Sequence, residues 1–191
     1  MVKEARLDRV ASGLAPVTPG WFVVNTAEAA WVTNDDWPGG VCIFESDEFV
    51  LRGRTDLKAY GKPDAGFTLR VVPPGRPAGL YHAESVQEDF LILQGKCLLI
   101  IEDQERHLRT WDFVHCPPMT AHTFVATGNS PCVILATGNR RDDLKRVYPR
   151  SETALLHGAG SEVTTPNPER HGSWEVRHPE GWNELPWVAR D

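Results

Sequence analysis

The sequence predicts an all-β fold, a double-sheet jelly-roll barrel with an N-terminal and a C-terminal extension. Three observations carry that prediction. Short apolar or alternating stretches, about ten of them, follow closely on one another between residues 41 and 138. Gly (16) and Pro (15) punctuate them, as a turn-rich β fold requires. Helical periodicity is scarce. With 191 residues, 41% hydrophobic and 24% charged, the chain has material for one globular domain with a sizeable core and appended arms. The expected division is an arm over 1–40, a barrel over 41–138, and an extension over 139–191 that packs on the barrel or on a partner.

Residues 1–20 are polar and then Pro/Gly-punctuated, which reads as an irregular arm. Trp21 to Val24 is short and β-rich. Asn25 or Thr26 is placed to cap a brief helical turn through Ala30. Trp31 and Trp37 follow. Two tryptophans in a leading arm imply docking onto a body, in the same chain or in a partner.

Val41 to Glu45 and Glu48 to Arg52 read as strands around Ser46-Asp47, and 53–66 as a loop. Phe67 to Val71 alternates strictly, which predicts a half-buried strand with Phe67, Leu69 and Val71 inward. Pro73, Pro74 and Pro77 stiffen the following loop and force an extended approach to His82. Leu80 to Glu84 is a strand with His82 and Glu84 on one face. Gln87 to Leu93 is the next, with Glu88, Phe90 and Ile92 sharing a face. Gln94-Gly95 turns into Lys96 to Glu102, and Asp103-Gln104 into Glu105 to Arg109. Asp112 to Cys116, His122 to Ala126 and Cys132 to Ala136 close the series.

Arg141 to Val147 reads as a short helix ended before Pro149. The remainder is Pro-, Gly- and Ser-punctuated but carries Trp174, Trp182 and Trp187, so it is expected to pack on something. In Phe90 to Leu93 and Leu98 to Ile101 both strand faces are apolar. One fills the barrel. The other needs a cover, either the Trp-bearing arms or a second subunit, and a homodimer is the expectation.

The chemistry concentrates between His82 and His122. His82, Glu84, Glu88 and His122 project from strands, and a metal ion needs donors converging from such a rigid frame. Tyr81, Phe90 and Phe124 neighbour these residues, and Phe90 and Phe124 either wall a pocket or belong to the ordinary core. His115 should face elsewhere, Asp89 should point away from Glu88's face, and His107, His157, His171 and His178 lack partners at ligand spacing.

This stretch resembles the cupin family. That family's first motif runs Gly, His-x-His, a Glu after three or four residues, and a Gly after six more. Here His82 takes the first His position, and Glu88 and Gly95 keep the spacing. Its second motif runs Gly, five residues, Pro-x-Gly-x-x-His, then Asn. Trp111, Pro117 and His122 fall at that spacing, with Asp112 where the family often has Asp, and fifteen residues separate Gly95 from Trp111. The sequence departs at Glu84, which stands at the second His, at Trp111 and Met119, which replace glycines, and at Ala126, which replaces Asn.

The resemblance implies a cupin-type barrel with a divalent metal at its centre and a small-molecule ligand at its mouth. His82, Glu88 and His122 form a set of two histidines and one carboxylate, suited to Fe(II) and to Zn. Adding Glu84 makes a harder set that accepts Mn, Fe or Zn. Glu84 is either a fourth ligand or a general base beside the ion. Two functions follow: a metal-dependent enzyme of dioxygenase or isomerase type acting on a small polar molecule, or a non-catalytic small-molecule-binding module. A barrel that binds no metal, with Glu84 salt-bridged, is the plain alternative.

Composition narrows the partners. A net charge of −6 without a basic stripe argues against nucleic acid. The first residues lack the apolar core of a secretory signal, and the longest apolar runs are too short to span a bilayer. Cys42, Cys97, Cys116 and Cys132 form no C-x-x-C pair and sit among apolar residues, so they read as reduced core thiols of a cytoplasmic protein.

Overall fold

A computed structural model of the protein describes residues 2–10, 13–18, 20–36, 39–44, 65–139, 143–166, 168, 174–175 and 177–185. The strand read over Glu48 to Arg52, and Trp37, Arg141, His171 and Trp187, lie outside the described residues.

The N-terminal segment carries a hairpin that hydropathy alone hides. β1 (Leu7–Val10) pairs antiparallel with β2 (Gly13–Pro16). The contacts it buries are small ones, Ala15 against Ala30 with Val17 alongside, so the apolar signal in sequence is faint. Leu14 N–H donates to Glu28 O at 2.7 Å and Ala30 N–H donates to Leu14 O at 2.8 Å, which seats the hairpin on the next segment. The Asn25 side chain accepts from Ala27 N–H at 2.9 Å, capping a turn as its residue type predicts. Trp21 is 52% exposed and forms only an isolated bridge with Glu4, so the short β-rich run there is not a strand.

The body is two antiparallel sheets. After β3 (Thr33–Asn34), the chain forms β4 (Gly40–Phe44), β5 (Ala65–Val72), β6 (Ala83–Glu84), β7 (Glu88–Gln94), β8 (Lys96–Ile101) and β9 (Gln104–Arg109). β10 (Phe113–Cys116), β11 (His122–Ala126) and β12 (Cys132–Asn139) follow. One sheet has the order β10-β7-β12-β5-β4 and the other β11-β8-β9. This is the jelly-roll arrangement that the strand spacing predicts.

Two turns fix the registers. Gly95 sits at φ 80°, and a Cβ there would lie 2.7 Å from Pro131 O, so only glycine fits between β7 and β8. Glu102 (φ 47°) and Asp103 (φ 57°) make the two-residue turn into β9, one position earlier than their sequence suggested.

Between the sheets lies the barrel core, with Phe90, Ile92, Leu99, Val114, Phe124 and Ile134 among its buried residues. The strict alternation of β5 marks an apolar face correctly but not its direction. Leu69 and Val71 pack outward, against Trp31, Cys42 and Val133, and Phe67 is 40% exposed; it is Val72 that joins the barrel core. A strand buried on both faces has no polar face to give its orientation away.

The outer faces are covered by the chain's own extensions. Trp31 is fully buried on the five-stranded sheet, edge-to-face with Trp182 at 5.5 Å, and Leu185 is buried in the same cluster. The Trp31 indole N–H donates to Thr26 O at 3.0 Å, so burial leaves no orphaned donor. On the other sheet, Leu98 and Ile100 pack against Ala154 and Ala159. Ala154 belongs to helix α1 (Glu152–Leu156), whose N-cap Ser151 accepts from Ala154 N–H at 3.0 Å.

Trp31→Ala is expected to lower the unfolding free energy by about 3–5 kcal/mol. A shift of the urea midpoint checks this. Loss of less than about 1 kcal/mol would show that the arm does not depend on that side chain.

Candidate metal centre

The centre is built by the loop that the prolines stiffen. After β5 this segment runs beside β11. Gly75 N–H donates to Ala126 O (2.9 Å), Ala78 N–H to Phe124 O (2.8 Å), and His82 and His122 exchange both main-chain bonds at 3.1 and 2.9 Å. Proline suits such a run because it has no N–H to leave unpaired. The two histidines, far apart in sequence, therefore sit directly opposite each other across an antiparallel bridge.

Each ring is then turned the same way. His82 Nδ1 lies 2.7 Å from Leu80 O, and His122 Nδ1 lies 3.0 Å from Thr120 O. A carbonyl can only accept, so Nδ1–H donates in both and Nε2 keeps its lone pair. Glu88 opens β7 on the barrel's inner face, its Oε2 3.8 Å from His122 Nε2. One donor atom from each of His82, Glu88 and His122 lies within 4.8 Å of the others, close enough for a single ion.

Burial shapes the electrostatics. The His122 side chain is 2% exposed and Glu88 15%. Burial holds the His122 imidazole below its usual range, and it holds His82 well below, helped by the neighbouring His122 and the Arg146 guanidinium. Neutral imidazoles are the ligating form.

Glu84 stands beside these three rather than among them. It is almost wholly buried, and its Oε1 lies 4.0 Å from His82 Nε2. That oxygen accepts from Arg146 Nε at 2.7 Å and from Arg146 Nη2. The other oxygen, Oε2, is buried and has no hydrogen-bond partner among the described residues. Burial works against the Arg146 charge, but the Glu84 carboxylate more than offsets it and raises the guanidinium pKa. Tyr148 lies beside Arg146 and stacks obliquely on His82, ring centroids 5.7 Å apart.

Arg146 and Tyr148 are residues that sequence reasoning missed. The expected helix over Arg141 to Val147 is replaced, in its described part, by β13 (Arg146–Val147), which pairs Arg146 with Glu84 and Val147 with Ala83. A two-residue strand has no periodicity to detect, and its partner lies some sixty residues upstream. A run of charge at 141–146 looks like a solvated helix face, and nothing local marks Arg146 as the member that turns inward.

The remaining candidates fall into place. Phe90 and Phe124 lie against His122, with centroids at 4.9 and 6.0 Å, so they wall the imidazole and also serve the core. Tyr81 turns away to the outer cluster, its hydroxyl accepting from Asp103 N–H at 3.2 Å. His115 pairs with Asp89 at 2.6 Å, away from the centre. His107 is exposed, His157 pairs with Glu105 at 2.7 Å, and His178 stacks on Trp182 at 4.2 Å. All four cysteines are buried thiols; burial, with Glu88 and Asp89 nearby, pushes the Cys116 thiol up to about 12, so it stays protonated. Trp111 (φ 75°) and Met119 (φ 68°) keep the left-handed backbone of the glycines they replace, with side chains 73% and 53% exposed.

Comparison with known proteins concerns the same stretch. Residues 68–138 match the family model described as Cupin domain. Protein MJ1618 of Methanocaldococcus jannaschii, itself uncharacterized, is 25% identical over 89 residues, 47% of this chain and 71% of that protein. Among solved structures, KdgF from a Halomonas species is 25% identical, with a TM-score of 0.47 over 65% of this chain and 97% of that one. Rru_A2000 from Rhodospirillum rubrum, a cupin-2 domain, is 15% identical, with a TM-score of 0.48 over 66% and 79%. A sugar phosphate isomerase of the cupin superfamily from Silicibacter pomeroyi is 18% identical, with a TM-score of 0.45 over 59% and 73%.

Two outcomes are expected of the metal-free protein. Both imidazoles titrate lower in the folded chain than in the unfolded one, so below about pH 6.5 the unfolded chain binds more protons. Stability is then full above that pH and falls as the pH drops below it, and His122→Phe flattens the profile in urea titrations between about pH 5 and 8. Arg146→Ala leaves a buried carboxylate without its cation and costs about 1.5–3 kcal/mol, below the range for a fully buried pair because the guanidinium is half exposed. Adding Glu84→Gln recovers most of that loss; a double variant no better than Arg146→Ala would remove the pair from the account of stability.

Proposed function

We propose that the chain is a cupin-superfamily barrel protein, as the match of residues 68–138 to the Cupin domain supports, and that it is a metal-dependent enzyme acting on a small polar molecule by proton transfer. His82, Glu88 and His122 would hold a divalent ion of the iron, zinc or manganese group. The fit rests on the donors themselves: two Nε2 lone pairs aimed by main-chain carbonyls and one carboxylate, all within reach of one point. A bound divalent ion would supply Lewis acidity, polarising a substrate oxygen and acidifying the adjacent C–H or O–H.

Glu84 is the group that moves the proton in this reading. The observation that carries it is the buried, unpartnered Oε2 beside the donor set, while Arg146 holds the other oxygen still. A buried carboxylate oxygen lacking a partner in the protein is a place for a proton or a polar ligand group. Phe90 and Phe124 exclude water from the His122 side. Under the alternative of a non-catalytic binding module, the same groups hold a ligand without exchanging its protons.

Elemental analysis of protein purified without chelator is expected to find about one divalent ion per chain. His122→Ala should lose it and Glu84→Gln should keep it. In D₂O, the metal-loaded protein should wash deuterium into one member of a panel of small hydroxy-carbonyl compounds, and Glu84→Gln should lower that exchange at least about 100-fold. Loss of metal in Glu84→Gln would make Glu84 a ligand instead. Bound metal and ligand with no exchange would favour the binding module.

A further inference from the structure

We propose that a second copy of this chain docks, by two-fold symmetry, on the outer face of the five-stranded sheet beside β10, with Trp111 and Phe113 as its anchors. This interface depends neither on a metal nor on turnover.

The chain's own cover reaches only part of this face. The strand registers line up Leu69 of β5, Leu135 of β12, Leu91 of β7 and Phe113 of β10 in one outward row. Leu69 packs with Trp31 and is 6% exposed. Leu135 and Leu91 are half-buried, and Phe113, at the sheet edge, is 63% exposed. The row therefore emerges from beneath the Trp31–Trp182 cover and stays apolar to the edge of the sheet. Single exposed apolar side chains are ordinary; a row continuous with a packed cluster marks a contact surface.

Trp111 stands just before this row's outer end and is 73% exposed. Its φ of 75° is a left-handed state that glycine takes freely and tryptophan does not. The turn is nonetheless tied down. Trp111 N–H donates to Ile92 O at 2.8 Å and Asp112 N–H to Arg109 O at 3.0 Å, while Asp112 Oδ2 accepts from Arg109 N–H at 2.8 Å. The ring is thus presented from a fixed backbone, and an anchor fixed before binding loses little freedom on docking. Tryptophan is among the residue types that carry most of the energy of a protein interface.

Area and shape point to a second copy. Phe67, on the next outward row of β5, adds a ring that is 40% exposed. At about 150–250 Å² per aromatic side chain, Trp111, Phe113 and Phe67 leave roughly 300–400 Å² of apolar surface in water. A standard interface takes about 800 Å² from each partner, about 60% of it apolar. The three rings, with the half-buried Leu91 and Leu135 between them, come close to that apolar share. The surface also complements itself. Trp111 and Phe113 project at the sheet edge and the more buried Leu91–Leu135 row lies inward of them, so a two-fold axis sets each projecting pair on the other copy's row. Beside the row, His115 and Asp89 pair with each other at 2.6 Å, so this rim brings no uncompensated charge to the contact. A membrane suits the patch less well, because anionic lipid repels a chain of net charge −6.

The test is sedimentation equilibrium of the full chain as purified, from about 1 to 100 μM. Twice the chain mass is expected at the upper end of that range. Trp111→Gly relieves the left-handed backbone and Phe113→Lys alters an exposed position, so both should fold, as the urea midpoint of dilute protein checks. Each should weaken the dimer at least about 30-fold. Leu156→Lys, at an 84% exposed site on helix α1 over the other sheet, is the control and should leave the dimer unchanged. A monomer throughout the range overturns the proposal and leaves the patch to a partner of another kind. A dimer that both patch variants keep, or that Leu156→Lys dissociates in their place, overturns it by putting the interface elsewhere. If one patch variant fails to fold, the other decides.

Discussion

The main-chain bridge between His82 and His122 is the constraint on which the rest of the candidate site depends. Two histidines separated by forty residues become opposite neighbours because a proline-stiffened segment is zipped along the free edge of β11. Once they are opposite, the carbonyls of Leu80 and Thr120 decide which nitrogen each ring offers. The facing of the two candidate donors is therefore specified by backbone atoms, which no side-chain substitution elsewhere in the barrel alters directly. Glu88 needs only to open the neighbouring sheet's inner face to complete the set.

That backbone frame stays rigid because each sheet carries a packed cover on its outer face as well as the core between them. Small side chains do much of the work on one side, where Ala154 and Ala159 let a short helix approach Leu98 and Ile100 closely. Large ones do it on the other, where Trp31 and Trp182 fill the space over Leu69, Val71 and Val133. Dense cover transmits strain instead of absorbing it, so a donor set in the interior is held to a narrow range of positions.

Much of this was legible in the sequence, for identifiable reasons. The strands over 65–139 announced themselves through period-two alternation and turn residues, and His122 to Ala126 matched to the residue. His82, Glu88 and His122 could be named because strand alternation fixes facing. The direction of β5 could not be read, since a strand packed on both sides shows apolar residues to both. The β1–β2 hairpin was hidden by alanine-sized contacts. Arg146 was hidden by distance: its meaning comes from Glu84, sixty-two positions earlier, and a run of charges gives no sign of which one will find a buried partner. Glu84 itself was seen as a metal ligand or a base, and its pairing partner came from the segment that read least clearly.

The origin of Arg146 has a consequence for where this protein's working unit ends. The span matched as a cupin domain stops at residue 138, and a fragment cut there would keep all three candidate donors. It would also expose Leu98 and Ile100 and leave Glu84 facing the donor set without a counter-charge. The barrel and its tail thus share their packing and their charge balance though they are two stretches of sequence, and a minimal version of this protein, made for grafting or for screening, has to carry the tail through at least Ala159.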